Sequence, residues 1–266
     1  SFPKGADGGI DFDVIRVGEE QKQVCSLKNK GKYDITYCFT FEPTPECPIE
    51  VCEMFSVLPY PGTLTPVDRP AQVQVIFRST REVAVQDVPI LRCQVIEPNI
   101  GKEGETIASI PIKMSVRSVF SKYHIYPMND INFGSMLVNS RKTRQFTIEN
   151  KGDKFEFKYT ITKLRREKDD TRRSRGQEAG PNQSRLSLGM FTVFPAFGYI
   201  LPGGNQVITV ECNADTAGRS EEEIAIDISG RDPNDQVGGI PYKLLAEACI
   251  PAINTHDVGS IFEEHR

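Results

Sequence analysis

Two stretches of this chain repeat each other closely enough to constrain its architecture. "IDFDVIRVGEEQKQVCSLKNKG" (10–31) aligns without a gap with "INFGSMLVNSRKTRQFTIENKG" (131–152), at an offset of 121 residues. "FSVLPYPGTLTP" (55–66) aligns with "FTVFPAFGYILP" (191–202) at an offset of 136, and "IPIKM" aligns with "IPYKL" at an offset of 130. Offsets that change only between matching blocks place the insertions in loops, as expected for two copies of one domain.

The repeat sets the predicted domain organisation. A chain of 266 residues has room for two domains of about 120 residues, each large enough to bury its own core. We predict a first domain over residues 1–118 and a second over 119–250, joined through the apolar segment 118–127, which favours a packed joint over a free tether. The echo of "INFGSM" in "HDVGSI" (256–261) predicts that residues 251–266 begin a further repeat.

The local pattern predicts strands almost throughout. Apolar and polar residues alternate in several short runs, and a period of two turns one face of a strand inward. The runs are Cys25/Leu27, Val73/Val75/Phe77, Ile110/Ile112/Met114, Phe146/Ile148, Ile208/Val210/Cys212 and Ile224/Ile226/Ile228. Frequent Pro and Gly separate them. The pattern predicts an all-β fold, with two tandem immunoglobulin-like antiparallel β-sandwiches.

An Asn-Lys-Gly turn precedes a strand in both copies, at residues 29–31 and 150–152. Asn and Gly adopt a positive φ more readily than other residues, and tight connections between strands use them for this reason. We therefore predict left-handed backbone in both turns and a purely architectural role.

The repeated blocks also carry a resemblance to a known family. "INFG", "FTIENKG" and "FTVFPAFGYILPGG" followed by "VITVEC" resemble the ASH domain, a relative of the major sperm protein fold. The first copy keeps the pattern except at Asp13, which stands where the second copy has Gly134 and weakens the match there. The chain, over residues 10–266, is similar to tandem ASH arrays of the central apparatus in motile cilia. The resemblance implies a cytoskeletal scaffold on axonemal microtubules, needed for ciliary motility, with no catalytic residues to transfer.

Features that would support catalysis are sparse. His124, His256 and His265 have no positioned acid or nucleophile partner, and the chain has no nucleophile elbow, phosphate loop or dinucleotide-binding glycine motif. The acidic run 221–223 is typical of a solvated turn. We predict no enzyme activity, no cofactor and no small-molecule substrate.

Cysteine usage indicates the compartment. The seven cysteines mostly lie in apolar runs, where a free thiol behaves as a small hydrophobic residue, so we expect a reducing, cytoplasmic environment. Cys47 and Cys52 could begin a zinc site, but no second Cys or His pair lies at ligand spacing, and we predict no metal. No signal peptide and no apolar run near the ~20 residues of a membrane span is present, so we expect a soluble protein without membrane contact.

The compositional anomaly is an insertion in the second copy, residues 163–189. Its first 13 residues carry a net charge of +4, and their basic members are Lys163, Arg165, Arg166, Lys168, Arg172, Arg173 and Arg175. One interpretation is a solvated loop between two strands. The sharper hypothesis is a contact with acidic microtubule tails or other axonemal proteins, which phosphorylation of Ser174 would oppose.

Short peptides and nucleic acid are two further classes of partner. The second sandwich could instead be an adaptor that recognises a short peptide by adding it to an edge strand. Nucleic acid is disfavoured, because the net charge is −4, the pI is about 5.6 and no basic stripe occurs outside the insertion.

Overall fold

The computed structural model describes residues 9–59, 61–67, 69–101, 104–164 and 184–250. The chain forms two compact units, Ser1–Phe120 and Ser121–Arg266. Each unit consists of two mainly antiparallel sheets that share one apolar core. The predicted all-β class and the pair of sandwiches are confirmed.

The first unit runs through β1 (Ile10–Arg16), β2 (Glu20–Leu27), β3 (Ile35–Phe41), α1 (Ile49–Cys52), β4 (Phe55–Leu58), β5 (Gly62–Leu64), β6 (Ala71–Arg78), β7 (Val83–Glu97) and β8 (Glu105–Val119). One sheet has the order β1-β8-β7-β3-β5 and the other has the order β2-β6-β4. Aromatic rings join the two sheets, because Phe12 of β1 lies 5.9 Å from both Phe55 and Phe77 between ring centres. Contacts of this kind add about 0.5–1.5 kcal/mol to the burial of each pair.

The second unit runs through β9 (Tyr123–Tyr126), β10 (Asp130–Leu137), β11 (Arg141–Asn150), β12 (Phe157–Lys163), β13 (Leu186–Leu188), β14 (Phe191–Phe194), β15 (Phe197–Ile200), β16 (Asn205–Asn213), β17 (Gly218–Ile228) and β18 (Ile240–Cys249). Its sheets have the orders β10-β18-β17-β12-β15 and β13-β14-β16-β11-β9. Phe146 and Tyr242 stack across the core with ring centres 4.6 Å apart.

The two units match strand for strand. In chain order, β1 to β8 correspond to β10, β11, β12, β14, β15, β16, β17 and β18. The first strand of each unit pairs in parallel with the last, β1 with β8 and β10 with β18. The second unit adds β9 beside β11 and β13 beside β14, and the described residues of the first unit have no counterpart to either.

The predicted alternation holds in the core with one exception. Ile112 and Met114 are buried, but Ile110 is 47% exposed, although the sequence grouped it with them. This part of the prediction is wrong because β8 is longer than the core it covers. Its residues before Ile112 are exposed on both faces, and β1 pairs with it only from Met114 onward.

The Asn-Lys-Gly turns have a different physical basis from the one predicted. None of Asn29, Gly31, Asn150 and Gly152 has a positive φ. Instead, the Asn29 amide is buried and donates to the carbonyls of Tyr33 at 2.7 Å and Leu64 at 3.0 Å, and its Oδ1 accepts from the Gly31 N–H at 2.8 Å.

The same amide clamp occurs in the second unit. Asn150, 1% exposed, donates to the carbonyls of Phe155 and Ile200, both at 2.9 Å, and accepts from the Gly152 N–H at 2.9 Å. Buried polar groups are retained when all their hydrogen bonds are made, and these amides tie the turn to the end of a neighbouring strand. The repeat therefore preserves a side-chain clamp, and the left-handed backbone prediction was wrong.

Asp13 preserves the backbone of the repeat despite replacing a glycine. Its φ of 60° is close to the 66° of Gly134. In both units the residue two positions earlier accepts from the backbone N–H at this point, Asp11 at 2.7 Å and Asn132 at 2.8 Å. Both first strands carry a register shift here, so each contains the same irregularity.

Candidate functional site

The charged insertion leaves and rejoins the second unit at two backbone hydrogen bonds. Leu164 N–H donates to the Glu223 carbonyl at 3.0 Å, and the Ser184 carbonyl accepts from Ala196 N–H at 2.9 Å. Arg165, Arg166, Lys168, Arg172, Arg173, Arg175 and Ser174 lie outside the described residues, so the contact and phosphorylation hypotheses for them stay predictions.

Lys163 is the member of the candidate set that the structure places. It ends β12 with its side chain 57% exposed, and its Nζ lies 3.3 Å from the carboxylate of Glu222. An exposed ion pair of this kind stabilises a fold by only about 0–1 kcal/mol, so Lys163 can exchange Glu222 for an external carboxylate at little cost.

The acidic run 221–223 lies in β17 rather than in the solvated turn predicted for it. Glu221 and Glu223 pair with Leu245 and Lys243 of β18, and the Lys243 ammonium lies 3.8 Å and 3.6 Å from their carboxylates. The run is therefore part of a cross-strand charge network, which the sequence spacing did not reveal.

Two arginines that the sequence analysis did not select converge on one carboxylate. Arg141 at the start of β11 and Arg185 just before β13 both form ion pairs with Glu211 of β16. The Arg185 guanidinium also lies 4.2 Å from the centre of the Phe194 ring, a cation–π contact. Glu211 is only 15% exposed while both arginines are more than half exposed, so this end of the sheet presents a net positive charge.

The signal for these arginines was present in the sequence. Residues 141–144 read Arg-Lys-Thr-Arg, a second basic run, and Arg185 closes the insertion. Their convergence depends on the order of β13, β14, β16 and β11 in one sheet, which no local pattern specifies.

Away from the two arginines, the outer surface of this sheet carries a row of uncharged side chains. Tyr126, Thr147 and Val207 form one row across β9, β11 and β16, and Tyr126 and Val207 are 70% and 40% exposed. Such a surface suits contact with another protein better than the enclosure of a small molecule. An open cleft of about 400 Å³ beside it brings Arg144 near Asp130 and Asn132, and its lining contains no Ser, Cys, Lys or His side chain.

The described residues contain no group of three or more His, Cys, Asp or Glu that could hold a metal ion. The Cys47 and Cys52 sulfurs lie 3.9 Å apart and both side chains are buried. Burial, reinforced by the neighbouring Cys52 thiol, raises the pKa of Cys47 to about 12, so the protonated thiol is favoured near neutral pH. All seven cysteines are free thiols.

His124 lies in β9 of the second sandwich, although the sequence placed it in a linker. Its Nδ1 is 3.9 Å from the Glu149 carboxylate and its side chain is 48% exposed. Within the described parts of the chain the longest helix, α1, is too short to cross a membrane.

Two known proteins align with the whole of this chain. No protein-family model matches the chain. The mouse hydrocephalus-inducing protein (Hydin) is 47% identical to it over 297 aligned positions, and the human homologue is 45% identical over 297 positions. The chain is homologous, along its full length, to one segment of Hydin. All of the chain is aligned in both cases, and it spans 6% of the length of each Hydin protein.

Solved structures with some likeness include relatives of the family that the sequence resembles. The ASH/PapD-like domain 7 of human CEP192 is 13% identical with a TM-score of 0.35, over 50% of this chain and 89% of that domain. WR4, an MSP family member of C. elegans, is 13% identical with a TM-score of 0.28, over 47% of this chain and 98% of WR4. Scores this low do not establish a shared fold, which rests here on the strand pairings of each unit.

Proposed function

We propose that this chain is a non-catalytic structural segment of the motile-cilium axoneme, in the scaffold of the central pair apparatus, where it supports ciliary motility. The observation that carries the proposal is the 47% identity to mouse Hydin along the full chain. The role applies to the segment alone, because the chain spans 6% of that protein.

The architecture fits a spacer domain that offers its outer faces to other proteins. Each sandwich has its own buried core, and its inward-facing side chains are almost entirely apolar. The charged and aromatic groups described above lie on outer faces and loop stems, where proteins commonly place binding residues.

The proposed partner of the second unit is an acidic surface, with microtubule tails as the candidate. The first 13 residues of the insertion supply a net charge of +4, and Arg141 and Arg185 add positive charge where the chain re-enters the sheet. Screening at physiological ionic strength acts over about 8 Å, so such a contact is weak and salt-sensitive. Several linked modules compensate for the weakness of each contact, because the avidity of the array can exceed the affinity of a single module by roughly 10²–10⁴.

Co-sedimentation with polymerised microtubules across a salt series tests this partner. We expect the whole chain to bind at low salt and to lose binding when residues 165–184, which lie before β13, are replaced by a Gly/Ser segment of equal length. A matched variant that changes only the basic residues in that range to Gln should lose binding to the same extent. Salt-independent binding, or binding retained by both variants, would rule out the electrostatic contact.

Modification of Ser174 is tested in the same assay. Ser174→Glu should weaken sedimentation relative to Ser174→Ala, because the added negative charge opposes the basic loop. Equal binding by the two variants would remove Ser174 from the proposal.

The cellular role requires a separate experiment. Deleting this segment from the full-length protein in ciliated cells should impair motility, and a tag placed in the segment should localise to the central pair. Normal beating with the segment deleted would show that it has no scaffold role, whatever its microtubule affinity.

A further inference from the structure

Lysine side chains crowd one end of the first unit, at the turn that leads into β3. Lys28, Lys30 and Lys32 are exposed, and none of them forms an ion pair with a described residue. The same turn carries Tyr33, which is 69% exposed. We call these three lysines and Tyr33 the basic end of the first unit.

The asparagine clamp fixes the shape of the basic end. The Asn29 amide donates to the carbonyl of Tyr33 at 2.7 Å and to the carbonyl of Leu64, at the end of β5, at 3.0 Å. The turn is thereby tied to the loop that follows β5, in which Val67 is 93% exposed. A partner that binds here does not have to order the turn, which lowers the entropic cost of binding.

The segment between β3 and β4 carries the complementary charge. Residues 42–54 contain four Glu and no basic residue. Glu46, Glu50 and Glu53 are exposed and form no ion pair with a described residue. Ile49, in the same segment, is 55% exposed. We call these three glutamates and Ile49 the acidic end of the first unit.

One chain cannot bring its own two ends together. β3 begins at Ile35, just after the basic end, and it finishes at Phe41, just before the segment that carries the acidic end. Its seven residues span about 20 Å. Each end is therefore available to the other end of a second chain, where the charges attract and an exposed aromatic side chain can pack on an exposed aliphatic one.

The aligned turn of the second unit has the opposite net charge. Residues 28–34 contain three Lys and one Asp, a net charge of +2, whereas residues 149–156 contain three acidic residues and two Lys, a net charge of −1. Glu149 stands at the position of Lys28 and forms an ion pair with Lys151 at 2.6 Å. The attraction for an acidic partner is therefore a property of the first unit.

We propose that the basic end of the first unit docks onto the acidic end of the first unit in a second copy of this chain. The contact joins two different surfaces, so it can be repeated from chain to chain in head-to-tail order. Opposite charges provide the specificity, and Tyr33 against Ile49 provides an apolar centre. This proposal does not depend on the axonemal role or on the insertion of the second unit.

Sedimentation equilibrium of the whole chain tests the contact. At low salt we expect the weight-average mass to rise continuously with protein concentration, because a head-to-tail contact does not close at the dimer. The mass should return to that of the monomer at about 1 M salt, where the Debye length is about 3 Å. A monomer at every concentration, or a mass that levels off at the dimer, would overturn the proposal.

Charge reversal identifies the two surfaces. The basic-end variant combines Lys28→Glu, Lys30→Glu and Lys32→Glu. The acidic-end variant combines Glu46→Lys, Glu50→Lys and Glu53→Lys. Each variant alone should associate at least about tenfold more weakly than the unchanged chain, because like charges then face each other. An equimolar mixture of the two should associate again, since each reversed end meets an end of opposite charge. A mixture that stays monomeric would show that the two ends do not meet.

Two further variants separate this contact from general charge effects. Tyr33→Ser keeps the charge and should weaken association by roughly 3–10-fold, because an apolar contact is lost. The variant with the basic residues of 165–184 changed to Gln should associate like the unchanged chain. Unchanged association by Tyr33→Ser would reject a defined docking surface, and loss of association in the insertion variant would assign the contact to the insertion instead.

Discussion

The two units share an interior and differ at their margins. Both contain a buried asparagine clamp, a left-handed residue in the first strand and a glycine that lies under a tyrosine ring, Gly62 under Tyr37 and Gly198 under Tyr159. Among the described residues, two strands of the second unit have no counterpart in the first, β9 and β13, and they lie at the two ends of one sheet. Duplication has thus kept the groups that hold each sandwich together, while the described strands at the sheet margins differ.

The largest expected difference between the two units is in their stability at alkaline pH. The first unit buries Cys25, Cys47, Cys52 and Cys93, and burial raises the pKa of each above the ordinary value of 9.0, to about 11 for Cys93 and about 12 for Cys47. A group whose pKa is raised by folding stabilises the fold fully when the pH is below its pKa in the unfolded chain. This contribution is lost as the pH rises through its pKa in the folded state.

The buried groups of the second unit lose their protons at higher pH, because most of them are tyrosines and not cysteines. Burial raises the pKa of Tyr159 from the ordinary 10.0 to about 12, with only Cys212 as a buried thiol. We therefore expect the first unit to lose stability from about pH 9 and the second mainly from about pH 10. Thermal unfolding measured across this pH range should separate two transitions, one for each unit. Replacing Cys47 and Cys52 with Ala should make the unfolding temperature of the first unit less dependent on pH. Two transitions that move together would contradict the assignment.

Removing an amide clamp should have the next largest effect. Asn150→Leu leaves two carbonyls and one N–H without their partner, and Asn29→Leu does the same in the first unit. Each change should lower the free energy of unfolding of its own unit by about 3–5 kcal/mol. Urea unfolding of the variants, with the exposed Asn205→Ala as control, measures this. A small loss from either variant would mean that water replaces the amide.

Replacing the glycine under each tyrosine should destabilise the two units by different amounts. A Cβ at Gly62 would overlap the Tyr37 hydroxyl, whereas at Gly198 the nearest Tyr159 atoms lie at 2.9 Å. Gly62→Ala and Gly198→Ala should each cost about 1–3 kcal/mol, with the larger loss in the first unit. Denaturant midpoints of the two variants test the order, and the opposite order would show that Tyr37 moves aside more easily than Tyr159.

The smallest predicted effect concerns the left-handed residue of the first strand. A Cβ at Gly134 would meet no atom within 4 Å, so only its φ of 66° opposes a side chain. Gly134→Ala should destabilise the second unit by about 1 kcal/mol, and Gly134→Asp by less, because Asp adopts this conformation in the first unit. Equal losses from Ala and Asp, measured by thermal unfolding, would contradict this explanation.

Much of the fold was readable from the sequence because period-two patterning and internal repetition are local signals. Val73, Val75 and Phe77 are fully buried, as the alternation predicts. The turns were misread because the letters Asn and Gly are compatible both with a positive φ and with a side-chain clamp. Only the position of Leu64 or Ile200, far along the chain, decides between them.

The candidate site was less predictable because it depends on contacts between distant strands. Composition singled out the insertion, yet the partner of Lys163 is Glu222, whose position follows from the pairing of β12 with β17. Arg141 and Arg185 meet only through Glu211 of β16.

The parallel pairing of first and last strands has a mechanical consequence. When a unit is pulled through its two ends, β1 is drawn one way and β8 the other, so the strands slide lengthwise and their interstrand hydrogen bonds bear the load together. In the second unit, β9 would take up tension before the β10–β18 pair does. We therefore expect single-molecule pulling from the chain ends to need more force than pulling the same unit across a hairpin, where the bonds break one at a time. A unit connected in this way would resist repeated stretching in a filament that bends.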